Sequence, residues 1–457
     1  MGFKDILHNL PEVKSPTEKK LSFNVKLKWT LIVLVSFFVL SNIFIWGISR
    51  EGLERFEYFA IIMGTNFGSI ITLGIGPIVM SSIILQLLVG SGILNIDTST
   101  PEGKKFFQSI QKLGVFFFII FEAIVYVLMG AVRAIPGFEV IVMIQLIVGG
   151  LLILFMDEVS TKWGFGSGVS LFIAAGVGRR LFSGLFGFLG SQNTIQAIGK
   201  VPVLIVSFLG EVPDVTGGLK ALASILALII LFLGIVWAQS LKIEIPLSYD
   251  RLRGYSMKWP LSFFYASVIP VILTGALIAN LQFLGSGLQN WLGRPTFLGE
   301  YVNGQAISGL GFWLGSTNIL NLIVERNLGV IFIWQAITHI LVFAIFAALF
   351  SVFWVKTSGM DAQSQAHNII SSGLQIPGFR KDERILESIL SRYVMPLTVM
   401  GGIAIGLLAS VSDLLLGNEL AGGTALLLGI MIIFQFYQNI AQQHAMDMHP
   451  ALRKMMG

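Results

Sequence analysis

The chain has 457 residues, of which 54% are hydrophobic and only 12% charged, with a net charge of +5 and no cysteine. That charge fraction is about half that of a soluble domain. The composition therefore excludes a soluble globular chain and points to a polytopic membrane protein, while the missing cysteines exclude disulfides and thiolate metal sites.

Residues 1–28 are polar and carry six lysines. Within them Phe3, Ile6, Leu7 and Leu10 recur at helical spacing and stop at Pro11. This suits a short amphipathic helix lying in the membrane interface, with a solvated tail of fortuitous spacing as the alternative. The first apolar run, Trp29 to Ser49, has no charge before Arg50 and is too long for the apolar part of a cleavable signal, so a first membrane helix is expected. Further runs of near bilayer length follow at 70–94, 110–132, 138–156, 168–190, 219–241, 260–284, 328–355, 389–411 and 421–441, ten in all. The run at 168–190 is the weakest, because Arg179 and Arg180 interrupt it.

Ten spans place both termini on one side. With that side cytoplasmic, segments 1–28, 91–112, 156–167, 240–260, 356–392 and 443–457 hold 21 of the 30 lysines and arginines, as the positive-inside rule requires. A connection over 191–218 and a glycine-rich loop over 285–327 then lie outside.

The second run contains "LGIGPIVMSSIILQ", with Gly74, Gly76 and Pro77 close together. Proline removes a backbone donor and glycine weakens a helix. A broken backbone at that depth needs protein or water around it. Splitting ten helices into two sets of five gives the second set an inverted topology. The second helix of each set, "GIGPIVMSSI" and "SVIPVILTGAL", carries proline early, at Pro77 and Pro270. Interrupted segments at matching places in inverted halves point to a pathway at their interface. Chance is the alternative, since prolines are common in membrane helices.

The side chains near these breaks are aliphatic. Ile75 and Val79 are four apart and share a helix face, Ile272 follows Pro270 by two, and Val169 and Ile173 are four apart in "GSGVSLFIAAG". A ring of such residues blocks ions and water by dewetting. By spacing alone the same residues read more readily as packed or lipid-facing. A secondary transporter with inverted repeats would instead aim charged or ion-coordinating groups at its midplane. Here Glu122, in "FFFIIFEAIVYVLMG", is the clearest ionisable group within a span and should face protein or water. His339 reads as a hydrogen-bonded packing residue. Asp157, Glu158 and Lys162 sit at the cytoplasmic end of the fourth run, where a solvated or paired role is the default. No catalytic pair, phosphate loop or metal motif is present, so nothing here argues for an enzyme. The loops "SLKIEIPLSYDRLRGYSMKWPLSFF" and "IPGFRKDERILESILSRYVMP" expose Arg251, Arg253 and Arg380. Arginines so placed suit phosphate or carboxylate recognition on a large partner, or simply obey the positive-inside bias.

These residues carry a resemblance. The motifs "ITLGIGPIV", "LQLLVGSGIL", "QKLGVFFFIIFEAIVYV", "GFGSGVSLFIAAGV", "PLSYDRLRG", "VIPVILTGALIAN" and "GGTALLLGIMIIFQFYQ" resemble, in order and across the whole chain, the SecY/Sec61α family, in its archaeal branch. The family is the pore-forming subunit of the Sec protein-translocation channel. The resemblance implies an all-α polytopic fold with ten transmembrane helices in two inverted five-helix halves around a central hourglass pore. The halves would be 29–190 and 219–442, with cytoplasmic ends at 1–28 and 443–457. It implies a pore ring at Ile75, Val79, Val169, Ile173, Ile272 and Leu428. A plug half-helix would occupy about 55–72, with Phe67, Gly68, Gly74, Gly76 and Pro77 at plug and hinge. Polar residues of a lateral gate carry over to Glu122 and Asn280. The second-helix gate position, commonly a small hydroxyl residue, is Met80 here, and Ser81 faces about 100° away. The resemblance further implies docking of a ribosome, RNA included, at Arg251, Arg253 and Arg380. Implied partners are SecE/Sec61γ-type and Secβ-type small subunits, signal sequences, nascent polypeptides and membrane lipids. No cofactor is implied, and the location is the cell membrane.

Overall fold

The computed structural model describes residues 10–18, 21–49, 68–96, 100–130, 132–191, 194–209, 214–249, 256–302, 305–371, 374–375, 382–417, 420 and 422–448. Among these, nine helices are long and apolar enough to cross a membrane, and a tenth, Gly76–Gly90, is shorter but equally apolar. In chain order the first five are α1 (Phe23–Ser41), α2 (Gly76–Gly90), α3 (Pro101–Leu128), α4 (Glu139–Trp163) and α5 (Gly168–Phe186). A hairpin of β1 (Phe188–Ser191) and β2 (Thr194–Ala197) and the short helix α6 (Lys200–Leu209) connect them to α7 (Val215–Ser240). Then come β3 (Lys242–Tyr249), β4 (Ser256–Ser262) and α8 (Ile269–Leu292). The segment expected on the outside follows, with β5 (Tyr301–Val302), β6 (Gln305–Ala306), α9 (Gly309–Leu314) and α10 (Ile319–Val324). The chain closes with α11 (Val330–Thr357), α12 (Ala362–Ser371), β7 (Leu374–Gln375), α13 (Glu383–Leu416) and α14 (Gly423–Met448).

Helix ends follow caps and turns rather than hydropathy. The first helix runs from Phe23 to Ser41 instead of Trp29 to Ser49. Beyond it the chain turns back, and Ile45 donates to the Gly68 carbonyl at 2.9 Å. The third helix starts at Pro101, well before the apolar run, because the Thr100 hydroxyl accepts the Gly103 N–H and proline fits the first turn. The run at 168–190 ends as a helix at Phe186 and continues into β1. The segment 285–327, expected as a loop on the outside, is partly helical: α8 extends to Leu292, and α9 and α10 follow.

α13 has 34 residues, about 51 Å of helix, against about 30 Å of hydrocarbon. Its first part, before Pro396, therefore stands clear of a membrane. There it joins a second small core with Ile245, Leu261, Val355, Ala366, Ile369, Leu386 and Leu390. The three-stranded sheet β4-β3-β7 caps this core. β3 pairs antiparallel with β4 from Lys242↔Ser262 to Ser248↔Ser256, and with β7 at Tyr249↔Leu374. The short strands add to a helical architecture that the apolar pattern had anticipated.

The main core is a single cluster that draws on both sets of helices. α2 packs on α8 and α11, and α5 packs on α14. Outward faces stay apolar and exposed, as at Val35 and Val39 on α1, Ile230 and Trp237 on α7, and Trp334 and Ile345 on α11. Such faces need lipid around them. The chain is a multi-pass membrane protein.

Segment 10–18 lies against α4. Val13 N–H donates to Glu158 Oε2 at 2.7 Å, and Trp163 Nε1 donates to the Lys14 carbonyl at 2.9 Å. Glu158 also pairs with Lys112. The paired role expected of Glu158 and Lys162 is what the structure has. The proposed interfacial helix at 3–10 lies almost wholly outside the described residues.

Candidate functional site

The chain enters α2 through a series of turns. Gly68 and Gly74 have φ of 87° and 53°, the left-handed region that glycine adopts without a Cβ clash. The Thr72 hydroxyl holds this segment, accepting the Gly68 N–H at 3.0 Å and donating to the Ser69 carbonyl at 2.5 Å. α2 then starts at Gly76 with Pro77 in its first turn. α8 starts in the same manner: Ser267 has φ of 61°, and the helix begins at Ile269 with Pro270 in its first turn. Both prolines thus start helices and do not interrupt them, which corrects the sequence reading. A first-turn proline gives up an N–H that has no intrahelical acceptor anyway. The irregular backbone lies just upstream, at Gly74 and Ser267, each three residues before its proline.

Of the six residues expected in a ring, five come together. Ile75 and Val79 of the α2 entrance, Ile173 of α5, Ile272 of α8 and Leu428 of α14 line one cavity of about 10 Å³. That volume is the lower limit for holding a single water. None of the five is more than 8% exposed. Val169 does not reach the cavity. It lies one turn before Ile173, partly buried, with its N–H bonded to Asp157 Oδ1 at 2.9 Å. Val271, Gly275, Ala276, Thr424 and Ala425 complete the lining.

Of the plug and hinge residues, Gly68, Gly74, Gly76 and Pro77 are described, and Phe67 with the rest of 55–67 lies outside the described residues. The described part of the expected plug, 68–72, is a set of turns rather than a helix. It is packed tightly: a methyl group added at Gly149 of α4 would overlap the Ile70 carbonyl.

Glu122 and Asn280 flank the junction between the two sets of helices. Tyr126, one turn after Glu122, stacks obliquely on Phe283 of α8, with ring centroids 4.6 Å apart. Gly90 of α2 lies against the Phe353 ring of α11. Glu122 is buried, and neither of its carboxylate oxygens has a hydrogen-bond partner among the described residues. Asn280 Nδ2 donates within its own helix, to the Ala276 carbonyl at 2.8 Å. The two polar residues are therefore not hydrogen-bonded to each other. Ser81 is turned away from this junction and donates to the Gln111 carbonyl of α3 at 2.7 Å, while Met80 packs on the core. Arg251, Arg253 and Arg380 lie outside the described residues. His339 is a buried packing residue whose Nδ1 lies 2.9 Å from the Leu314 carbonyl.

A family model described as SecY matches residues 69–437, most of the chain and all of the constriction. The chain belongs to the SecY family. Among its SecY relatives, the protein translocase subunit SecY of Methanothermobacter thermautotrophicus is 43% identical over 100% of this chain and 98% of its own length. That of Methanocaldococcus jannaschii is 37% identical over 99% and 98%. A solved structure described as that of a protein conducting channel superposes with a TM-score of 0.84 at 36% identity, covering 99% of both chains. Sec61 in a canine ribosome-channel complex from the endoplasmic reticulum superposes with a TM-score of 0.81 at 35% identity, again over 99% of both. The SecY relatives are archaeal, in keeping with the branch the motifs resemble.

Sequence reasoning missed two acidic contacts at this site. Asp157 and Asp413 each bond to the first turn of the helix that follows, and these helices carry Ile173 and Leu428. The only sequence signal is an aspartate near the end of one apolar run, ten or eleven residues before a glycine that opens the next.

Proposed function

We propose that this chain is the channel-forming subunit of a protein translocase. It passes unfolded polypeptides across the membrane and releases membrane helices sideways into lipid. The observation that carries the reading is the aliphatic closure of Ile75, Val79, Ile173, Ile272 and Leu428, four helices contributing to one cavity too small for more than a single water. Such a closure repels ions by dewetting, and its five aliphatic side chains offer no polar group to hold a passing chain. The inverted halves and the full-length likeness to translocase subunits support the same reading.

Val169 stands with the ring as its flanking residue on α5. Residues 55–72 form the outer plug, with Phe67, Gly68, Gly74, Gly76 and Pro77 as plug and hinge. The glycines supply the φ/ψ freedom for its displacement. The junction of α2 and α3 with α8 and α11, near Glu122 and Asn280, is the lateral gate where a signal sequence intercalates. Arg251, Arg253 and Arg380 dock a ribosome through RNA phosphate and protein carboxylate. In support, both segments that hold them belong to the connections in which lysine and arginine concentrate. SecE/Sec61γ-type and Secβ-type subunits complete the complex, and both termini face the cytoplasm, on the side where lysine and arginine concentrate. The secondary-transporter reading needs ion-coordinating groups at the constriction, and the cavity lining offers a single hydroxyl, that of Thr424.

The absence of cysteine allows a direct test. Val79→Cys in the reconstituted complex, engaged by a ribosome stalled on a secretory chain with a single cysteine, is expected to form a disulfide with that chain. A stalled chain that engages the complex but cross-links only elsewhere would remove the pore assignment and reopen the transporter reading.

A further inference from the structure

Asp157 and Asp413 belong to neither the ring, the gate nor the docking loops. Asp157 lies six residues before the end of α4 and Asp413 three before the end of α13. Asp157 Oδ1 accepts the Val169 N–H at 2.9 Å and the Ser167 hydroxyl at 3.3 Å. Asp413 Oδ1 accepts the Thr424 N–H at 2.5 Å, and its Oδ2 accepts the Thr424 hydroxyl. Each carboxylate therefore satisfies first-turn donors of the next helix, which have no intrahelical acceptor. Each also places negative charge at the positive end of that helix's dipole.

The two arrangements match in detail. α4 and α5 are the fourth and fifth spanning helices of the first half, and α13 and α14 hold the same places in the second. A glycine opens each capped helix, Gly168 and Gly423. A methyl group at Gly168 would run into the Asp157 backbone, and one at Gly423 into the Ser412 and Asp413 backbone. Val169 and Thr424 are thus held close to the preceding helix. Four residues beyond each, on the same helix face, come Ile173 and Leu428, which both line the cavity. The match is not complete: Thr424 reaches the cavity, and Val169 does not.

We infer that Asp157 and Asp413 are equivalent positioning residues, one in each half, that fix the depth and rotation of α5 and α14 so that Ile173 and Leu428 meet and seal the channel at rest. The inference rests on reading the cavity as the channel's constriction. The second brace has a further tie: His339 Nε2 lies 3.7 Å from Asp413 Oδ2, and its Nδ1 bonds the Leu314 carbonyl of the outer segment.

The test uses the full chain reconstituted in planar bilayers, with Leu428→Gly as a probe of the constriction itself. Asp157→Ala and Asp413→Ala are expected to raise resting ion conductance about five-fold or more, the factor for losing one helix cap. Asp157→Asn and Asp413→Asn keep an amide oxygen for the backbone N–H and should stay within about two-fold of the parent. Hydrogen exchange is expected to show lost protection at 169–173 or 424–428 in the alanine variants alone. A leaking Leu428→Gly beside alanine variants that keep both seal and protection overturns the positioning role and leaves the constriction standing. A tight Leu428→Gly overturns the constriction reading and this inference with it. Should the alanine variants fail to fold, Ser167→Ala and Thr424→Val decide, since unchanged exchange and conductance in both overturns the inference.

Discussion

A buried carboxyl without a partner is costly, and Glu122 has none among the described residues. It sits inside a bundle with both oxygens unbonded among the described residues, one turn from the Tyr126–Phe283 contact that joins the two halves. Leaving such a group unsatisfied costs about 1–3 kcal/mol. If the gate opens at this junction, Glu122 gains water or a polar partner, so its burial biases the resting state toward opening. Glu122→Leu removes that bias. Translocation driven by weak signal sequences is expected to fall about ten-fold, with strongly apolar signals little affected, in a reporter-secretion assay. Equal loss for both signal classes, or none for either, would detach Glu122 from gating. Ser81 illustrates the opposite outcome: a hydroxyl next to the expected gate position is committed to the Gln111 carbonyl, inside its own half.

At the scale of elements, the contact of α2 with α11 is set by one missing side chain. A Cβ at Gly90 would overlap the Phe353 ring, so the helices approach as closely as they do only because position 90 is glycine. Gly90→Val forces them apart at a cost of about 1–3 kcal/mol to the closed arrangement. The expected result is a gate that opens more readily, with translocation of a reporter whose signal sequence is defective. A reporter still rejected by Gly90→Val would mean that this contact does not hold the gate. The entrances of α2 and α8 show a second element-level device. A left-handed residue three positions before a first-turn proline turns the chain sharply into a helix in both halves, using Gly74 in one and Ser267 in the other. Ser267 reaches that conformation without a glycine's freedom, and its hydroxyl is held by Gln435 Nε2 of α14.

For the whole molecule, the distribution of charge and the three-stranded sheet bear on assembly. β3 and β7 are far apart in sequence yet pair with each other, and Arg251, Arg253 and Arg380 come shortly after them in the chain. Reversing Arg251, Arg253 and Arg380 to glutamate is expected to weaken ribosome binding about 10²–10³-fold at low salt in a co-sedimentation assay, with a shallower salt dependence than the parent's. Binding that stays the same would return these arginines to the general excess of positive charge on cytoplasmic loops.

The amino-acid sequence by itself determined the membrane class, the number and order of the spans, and the inverted pairing of Pro77 with Pro270. These follow from hydropathy and backbone chemistry, which are local properties summed over about twenty residues. Its family motifs also marked the aliphatic residues that line the cavity. Only the tertiary structure decided where helices stop, because caps and turns such as those at Thr100 and Gly74 outweigh hydropathy at the ends. Only the tertiary structure removed Val169 from the cavity and gave Asp157 and Asp413 their partners. A carboxylate at the end of one span looks solvated in a linear reading. Whether it meets water or the first turn of the next helix depends on how closely two backbones approach, and that distance is fixed by packing, here around Gly168 and Gly423.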